Sequence, residues 1–246
     1  MLLKILGTGT SQVTKERTAT ANYIKIGNKS ILLDCGCGTL VRLNQSNISV
    51  RDIDIILISH YHIDHISDLL PFLWALKWPQ MNRKKDLTII GPKGFKKFYA
   101  QYIKPIVFSK PFELFKIEIK EINKKMKFDN FYIQSYKTIH TKESVAFKFI
   151  EKNKSFVIAG DVDYDLGLIK FSKNVDLLIL ECSYNNTYKV KGHLIPTECG
   201  NIAKSANVKK LVLTHFYPIK KETRLDETKK IFKNTIMAKD LIEFKI

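Results

Sequence analysis

Hydrophobic residues fall along this chain in short runs separated by polar breaks. Runs of strand length, rich in Ile, Leu, Val and Phe, lie at 2–6, 22–26, 31–33, 55–58, 87–90, 114–119, 131–136, 145–150, 155–159, 176–180 and 210–213, and 241–244 closes the chain. Helices are predicted over about 38–45, 68–78, 93–104, 196–206 and 222–233. In 196–206, Pro196 suits a first turn, Cys199, Ile202, Ala203 and Ala206 share one face, and Asn207 can end the helix. The 68–78 segment is apolar more widely than one buried face requires. Leu69, Leu70, Leu73, Trp74 and Leu76 form its stripe, with Phe72 and Trp78 on other faces. It reads either as a deeply buried helix or as a subunit contact, with Asp68 as its cap and Pro71 in the first turn. Strands run consecutively in places and alternate with helices elsewhere. An α/β fold with a sheet-rich core covered by helices is the expectation.

A chain of 246 residues can bury one substantial core, and residues 1–246 read as a single domain. The seven prolines are scattered, and neither a linker nor an internal repeat stands out. The opening apolar residues turn polar at Gly7, too early for a secretion leader, and no apolar stretch is long enough to cross a bilayer. A cytoplasmic protein with no membrane partner is expected. Cys35, Cys37, Cys182 and Cys199 show no C-x-x-C pair and read as reduced thiols. The formal net charge of +17 favours an acidic substrate and leaves nucleic acid open as a partner. Only five of the 41 basic residues are arginine, however, and the lysines are dispersed in pairs without a dense stripe.

The chemistry concentrates where apolar runs end. Residues 55–58 lead, after Ser59, into His60-Tyr61-His62-Ile63-Asp64-His65. Three imidazoles and a carboxylate in six residues are hard to explain by packing and easy to explain as a metal rim. Three other runs end similarly, at His140, at Asp161 and at His215. A lone histidine at a strand end is ordinarily a satisfied polar residue, so these three gain meaning only beside the hexapeptide. Together the set offers five histidines and two aspartates, more than one tetrahedral ion needs and suited to two ions sharing a carboxylate. In an extended segment His60 and His62 project to the same side.

His-x-His-x-Asp-His after an apolar strand resembles the signature of the metallo-β-lactamase superfamily. His140, the Ala159-Gly160-Asp161 step and Leu213-Thr214-His215 follow in that family's order. Leu6-Gly7-Thr8-Gly9-Thr10-Ser11, Leu32-Leu33-Asp34-Cys35-Gly36-Cys37-Gly38-Thr39 and Gly192-His193-Leu194 resemble its ribonuclease Z-like branch. The resemblance spans nearly the whole chain and implies a four-layer αββα sandwich with two divalent metal ions at one edge. It implies that His60, His62 and His140 hold the first metal, that Asp64, His65 and His215 hold the second, and that Asp161 bridges them. Zinc leads as the metal, with manganese or iron as alternatives. His62 stands where the iron-dependent flavodiiron branch has glutamate, which argues against a redox role. The resemblance also implies catalytic roles for Asp64 and for His193, the latter as donor to the leaving group. Glu181 could orient an imidazole, and Asp34 could fix a ligand histidine's tautomer.

Where transfer-RNA-processing relatives insert a long arm between the middle histidine and the bridging aspartate, this chain has only residues 141–160, which read as a hairpin. Glu181-Cys182-Ser183 replaces the His-Glu-Ala-Thr usual in that enzyme. The expected function is therefore metal-dependent hydrolysis of a phosphodiester: a cyclic nucleotide, a small cyclic phosphate or an RNA-like substrate. Hydrolysis of a thioester, lactone or carboxyl ester is the alternative within the fold. A nucleic-acid-binding scaffold without turnover is the alternative outside it. A homodimer is the expected assembly if the 68–78 helix is a subunit contact.

Overall fold

The apolar runs pair, in a computed structural model describing residues 1–108 and 114–246, into two seven-stranded sheets. The first holds β1 (Leu2–Gly7), β2 (Ala21–Ile26), β3 (Lys29–Leu33), β4 (Ile55–Leu57), β5 (Leu87–Gly91) and β6 (Ile117–Glu121). The second holds β7 (Lys125–Lys127), β8 (Phe131–Lys137), β9 (Val145–Glu151), β10 (Lys154–Ala159), β11 (Leu177–Glu181), β12 (Leu211–Thr214) and β13 (Thr235–Met237). β14 (Glu243–Lys245) returns to lie antiparallel beside β1.

The two sheets repeat one plan. In the first, β1, β2 and β3 pair antiparallel, and β3 to β6 run parallel. In the second, β8, β9 and β10 pair antiparallel, and β10 to β13 run parallel. The likeness reaches single residues. Asn28-Lys29-Ser30 opens β3 and Asn153-Lys154-Ser155 opens β10. The Ser30 amide donates to Asp54, just before β4, at 2.7 Å, and the Ser155 amide donates to Asp176, just before β11, at 2.9 Å. An internal structural repeat thus exists where none was expected from the sequence.

Strand alternation divides the apolar side chains between layers. Ile55 and Leu57 face the second sheet, joining Phe147, Phe149, Phe156 and Ile158 in the central core, while Ile56 and Ile58 face helices. The first sheet's outer face is covered by α1 (Thr39–Gln45), α2 (Ile63–Ile66), α3 (Leu69–Leu76), α4 (Phe95–Phe98), a π-helical turn over Tyr99–Ile103, and α5 (Lys104–Val107). The second sheet's is covered by α6 (Leu166–Phe171) and α7 (Pro196–Ser205), with α8 (Arg224–Lys229) packed on α7 and β13. The αββα sandwich is the fold of this chain.

Several elements differ from expectation. β7, β13 and α6 were not anticipated: β7 is Lys125-Met126-Lys127, too short and polar to stand out, and β13 lies where a polar flank hides three paired residues. The helix expected at 68–78 forms as one helix, α3, over Leu69–Leu76, and its buried face carries Leu69, Phe72, Leu73 and Leu76, leaving Trp74 and Trp78 exposed. Asp68 stands before α3 but does not cap it. Its carboxylate accepts the Leu40 amide at 3.2 Å and so caps α1 instead. The 93–104 helix breaks into α4, the π turn and α5, and the strand expected at 114–119 begins at Ile117.

Candidate metal centre

Four strand ends meet at one edge of the sandwich, the place where parallel strands release functional loops. β4 ends in Ser59 and a buried His60. His62 keeps an extended backbone before α2, and one turn of helix then buries Asp64 and His65 while Ile63 points outward. Gly36 lets this turn seat, because a Cβ there would overlap the Asp64 carbonyl. The Cys35 amide holds the same turn by donating to the His65 carbonyl at 2.7 Å. His140 follows β8, Asp161 follows β10, and His215 follows β12 in a left-handed backbone with φ of 57°.

Asp161 sits at the centre. Its Oδ1 lies 3.1 Å from His65 Nε2 and 3.0 Å from His215 Nε2, and its Oδ2 lies 3.3 Å from His140 Nε2 and 3.8 Å from His60 Nε2. His62 Nδ1 is 3.0 Å from His140 Nε2, and Asp64 Oδ2 is 3.3 Å from His215 Nε2. The donor atoms of His60, His62, His140 and Asp161 lie within 4.8 Å of one another, as do those of Asp64, His65 and His215. One carboxylate therefore faces two donor groups with different oxygens. The seven residues singled out in the sequence are all brought together.

The far side of each ring shows which nitrogen carries the proton. His65 Nδ1 lies 2.8 Å from Asp34 Oδ2, an acceptor-only carboxylate, so Nδ1 donates. Ser59 gives its hydroxyl proton to Asp34 at 2.8 Å and is left to accept from His60 Nδ1 at 3.1 Å. Ser183 gives its proton to Glu181 at 2.6 Å and accepts from His215 Nδ1 at 3.0 Å. His140 Nδ1 donates to the Gly192 carbonyl at 2.9 Å, and Gly192 has φ of 89°, where glycine is favoured. In their neutral forms the four imidazoles would therefore turn Nε2 lone pairs toward a carboxylate, an arrangement that calls for positive charge, protons or cations, among them.

The donor set fits divalent cations on this ground and on a second: His60 Nε2 is buried and has no hydrogen-bond partner. Burial, and then the neighbouring His65, push the His60 pKa far down, so it stays neutral and ready to ligate. Burial opposes charge on His65 and His215, yet Asp161 with Asp34 raises the first well above its ordinary value, and Asp161 with Asp64 raises the second to about 10. Protons or cations can balance Asp161, and cation binding there releases protons.

His193 enters from the loop before α7. Its Nδ1 is 2.9 Å from Glu181 Oε1, and its ring lies 4.9 Å from that of His140 and 5.9 Å from that of His215. Burial works against its charge, but the bond to Glu181 lifts its pKa above the ordinary value. Lys189 clamps the loop through Asp163 and Glu198, each at 2.7 Å, and Asp163 accepts the Gly192 amide at 2.7 Å. The structure places Asp34 and Glu181 in the orienting positions that sequence reasoning allowed them. It missed the two relaying hydroxyls, Ser59 and Ser183, although Ser59 directly precedes His60. It also missed Tyr184 and Tyr217, which stack at 5.1 Å beside His193 and His215.

Comparison with known proteins agrees with this fold. Ribonuclease Z of Clostridium acetobutylicum is 29% identical over 96% of this chain and 95% of its own length. That alignment extends over 300 positions against 246 residues here, so the relative carries insertions. Ribonuclease Z of Archaeoglobus fulgidus is 24% identical over 100% of this chain and 98% of its own. Among solved structures, the metallo-β-lactamase fold protein YhfI from Bacillus subtilis superposes with a TM-score of 0.86 at 24% identity, covering 99% of this chain and 98% of YhfI. Human tRNase Z, short form, gives 0.80 at 23% identity, covering 100% and 99%. Residues 1–236 match the Anti-Pycsar protein Apyc1 family. The chain belongs to that family, and it is a ribonuclease Z-like metal-dependent hydrolase of the metallo-β-lactamase fold.

Proposed function

We propose that this protein hydrolyses phosphodiesters (a cyclic nucleotide, a small cyclic phosphate or an RNA-like substrate) with two divalent ions, zinc in the first place. The observation that carries the reading is Asp161, whose two oxygens face two separate groups of imidazole lone pairs. In this reading His60, His62 and His140 hold one ion, Asp64, His65 and His215 hold the other, and Asp161 bridges. Such ions, when bound, supply Lewis-acid polarisation of a phosphoryl oxygen and acidification of water.

The chain's own residues supply the rest. Asp64 lies with its Oδ2 3.3 Å from His215 Nε2 at the edge of the second donor group. Its carboxylate would serve both as a ligand and as an acceptor at the centre. Glu181 fixes His193 through Nδ1, which leaves Nε2 to carry a proton for the leaving alkoxide. The bond to Glu181 raises the His193 pKa and so favours that proton. Tyr184 and Tyr217 wall the side next to His193 and limit access of bulk water.

Among the described residues no helix is long and apolar enough to cross a membrane. The reading is of one domain acting in the cytoplasm. The exposed Trp74 and Trp78 on and just after α3 support a homodimer.

The test is metal content by elemental analysis together with turnover of bis(p-nitrophenyl) phosphate and of a thioester. Two ions per chain and metal-dependent turnover of the phosphodiester are expected. Asp64→Ala loses both metal and turnover, and His193→Ala loses turnover with metal retained. Turnover of the thioester alone, or a His193→Ala protein depleted of metal, would overturn the assignments.

A further inference from the structure

The loop that carries His193 joins β11 to α7 with neither a strand nor a helix of its own, and side-chain bonds hold it in place. One ammonium group supplies three of them. Lys189 Nζ donates to Asp163 Oδ1 at 2.7 Å, to Glu198 Oε2 at 2.7 Å and to the main-chain carbonyl of His193 itself. An ammonium has three protons to donate, and here all three are used. Among the described residues no other lysine makes as many hydrogen bonds through its side chain; Lys85, with two, comes next.

The acceptors belong to different parts of the site. Asp163 lies two residues beyond Asp161, and its amide donates at 2.8 Å to the carbonyl of Ile139, directly before His140. Its Oδ2 accepts the Gly192 amide at 2.7 Å. Glu198 stands in the first turn of α7, where its Oε2 also accepts the Ile195 amide at 3.1 Å. The Gly192-His193 pair is thus held at both ends, at the first amide by Asp163 and at the second carbonyl by Lys189. Between these ends the Gly192 carbonyl accepts His140 Nδ1. Glu181 sets how the His193 ring is turned, but the place from which the ring projects is set by the main chain. Without the ammonium, Asp163 and Glu198 become neighbouring carboxylates with nothing between them, and their repulsion loosens the loop from α7.

We propose that Lys189 is a positioning residue for leaving-group protonation, holding His193 within reach of the departing oxygen. The inference rests on the phosphodiesterase reading, in which His193 carries that proton. General acid catalysis contributes about 10²–10⁴-fold, and a misplacement of about 1 Å can cost about 100-fold, so a loosened loop acts first on the proton transfer. The metal ligands are spared, because Asp163 still holds the Gly192 amide and Gly192 still accepts from His140.

The experiment compares bis(p-nitrophenyl) phosphate with diphenyl phosphate in the zinc-loaded wild type, Lys189→Met, Lys191→Met and His193→Ala. Nitrophenolate is a weak base and leaves without a proton, whereas phenolate, with a pKa of about 10 like the tyrosine side chain, needs one. Lys191 is exposed and its ammonium has no partner among the described residues, so its variant controls for lost charge and matches the wild type. Lys189→Met keeps two ions per chain and its KM, and its loss in kcat is about tenfold greater on diphenyl phosphate than on the nitrophenyl diester. His193→Ala loses turnover on both and shows the same bias. Glu198→Gln keeps an acceptor for the Ile195 amide but weakens the clamp, giving the bias at about threefold; it decides the matter if Lys189→Met melts early. Unbiased losses in Lys189→Met and Glu198→Gln beside a biased loss in His193→Ala overturn the positioning role and leave the phosphodiesterase reading standing. An unbiased loss in His193→Ala, or a wild type that cleaves only the nitrophenyl diester, overturns the donor and its clamp together. A wild type inactive on both diesters removes the phosphodiesterase reading as well.

Discussion

Asp34 touches no substrate, and its replacement by asparagine should cost the second metal. The carboxylate is buried and accepts three hydrogen bonds, each 2.8 Å long, from the Ser59 amide, the Ser59 hydroxyl and His65 Nδ1. Its backbone has φ of 59°, a conformation asparagine tolerates, so Asp34→Asn leaves the chain path intact. Three donors then meet a side chain with one oxygen and an NH2 group. The oxygen can keep the Ser59 amide, and the NH2 group must face the Ser59 hydroxyl and His65 Nδ1. A hydrogen bond to a charged group contributes about 1.5–3 kcal/mol, and the contact between His65 and a carboxylate is the one lost. The imidazole then places its proton on Nε2 or turns away from Asp161, and either outcome removes a lone pair from the second donor group.

A loss of 1.5–3 kcal/mol corresponds to roughly 10–100-fold in affinity, the range typical for outer partners of metal-bound histidines. Competition with a chelator, followed by metal analysis, measures it directly. The variant should lose one ion at chelator concentrations where the wild type keeps two, and Ser59→Ala should weaken the first site more than the second. An Asp34→Asn protein that binds both ions as tightly as the wild type would refute the proton assignment on His65, and with it the argument that positive charge must fill the pocket.

Glu181→Gln removes the carboxylate that raises the His193 pKa. Because the proposed donor works protonated, activity falls as pH rises through that pKa, and the alkaline limb of the kcat profile should move to lower pH in the variant. Asp54 and Asp176 both keep lowered pKa values: burial opposes this, but Lys85 with the Ser30 amide, and Lys209 with the Ser155 amide, outweigh it. A depressed folded value gives stability that is present above the unfolded pKa near 3.8 and disappears as pH falls through the folded value. Urea midpoints between about pH 5 and 3 should therefore fall less steeply in Asp54→Asn/Asp176→Asn than in the wild type. Arg224, buried against Phe216 at 4.7 Å, donates to the Ser183 and Cys182 carbonyls at 2.8 and 3.2 Å. Arg224→Met strands the Cys182 carbonyl and leaves the Ser183 carbonyl only the Tyr217 amide at 3.3 Å, at a cost of about 1–3 kcal/mol, a fall in Tm on the order of 5 °C. An unshifted Tm would show that other groups satisfy them.

The candidate ligand residues were legible because metal sites need particular atoms at particular spacings. His60 to His65 announce themselves in six residues, and His140, Asp161 and His215 acquire meaning once those are seen. What supports them was less visible. Asp68 resembles a helix cap in sequence, but caps are chosen by proximity in space, and the amide nearest its carboxylate belongs to α1. Ser59 and Ser183 act only because each hydroxyl has a carboxylate on one side and an imidazole on the other, and no spacing rule foretells a three-body relay. The polar β7 was hidden because its ladder is with β8, a contact between strands rather than a property of Lys125-Met126-Lys127.

The repeat of Asn-Lys-Ser at 28–30 and 153–155 was present in the sequence and carried more than it showed. Each copy opens a strand whose amide is tied to an aspartate just before the next parallel strand, and that tie sets the register of the pair that ends at the metal centre. Below the first pair lie Asp34 and Ser59, which orient His65 and His60. Beside the second lie Glu181 and Ser183, which orient His193 and His215. Each half therefore presents an acid and a hydroxyl near its strand ends, Asp34 after β3 and Ser59 after β4 in the first, Glu181 at the end of β11 and Ser183 just beyond it in the second. The two sides differ in what the acid does. Asp34 serves a histidine that points at Asp161, whereas Glu181 serves one free to hold a proton. Both halves of the duplicated scaffold thus contribute to the cluster of candidate donors, and only the second adds His193, because that is the further imidazole the Glu181 carboxylate reaches.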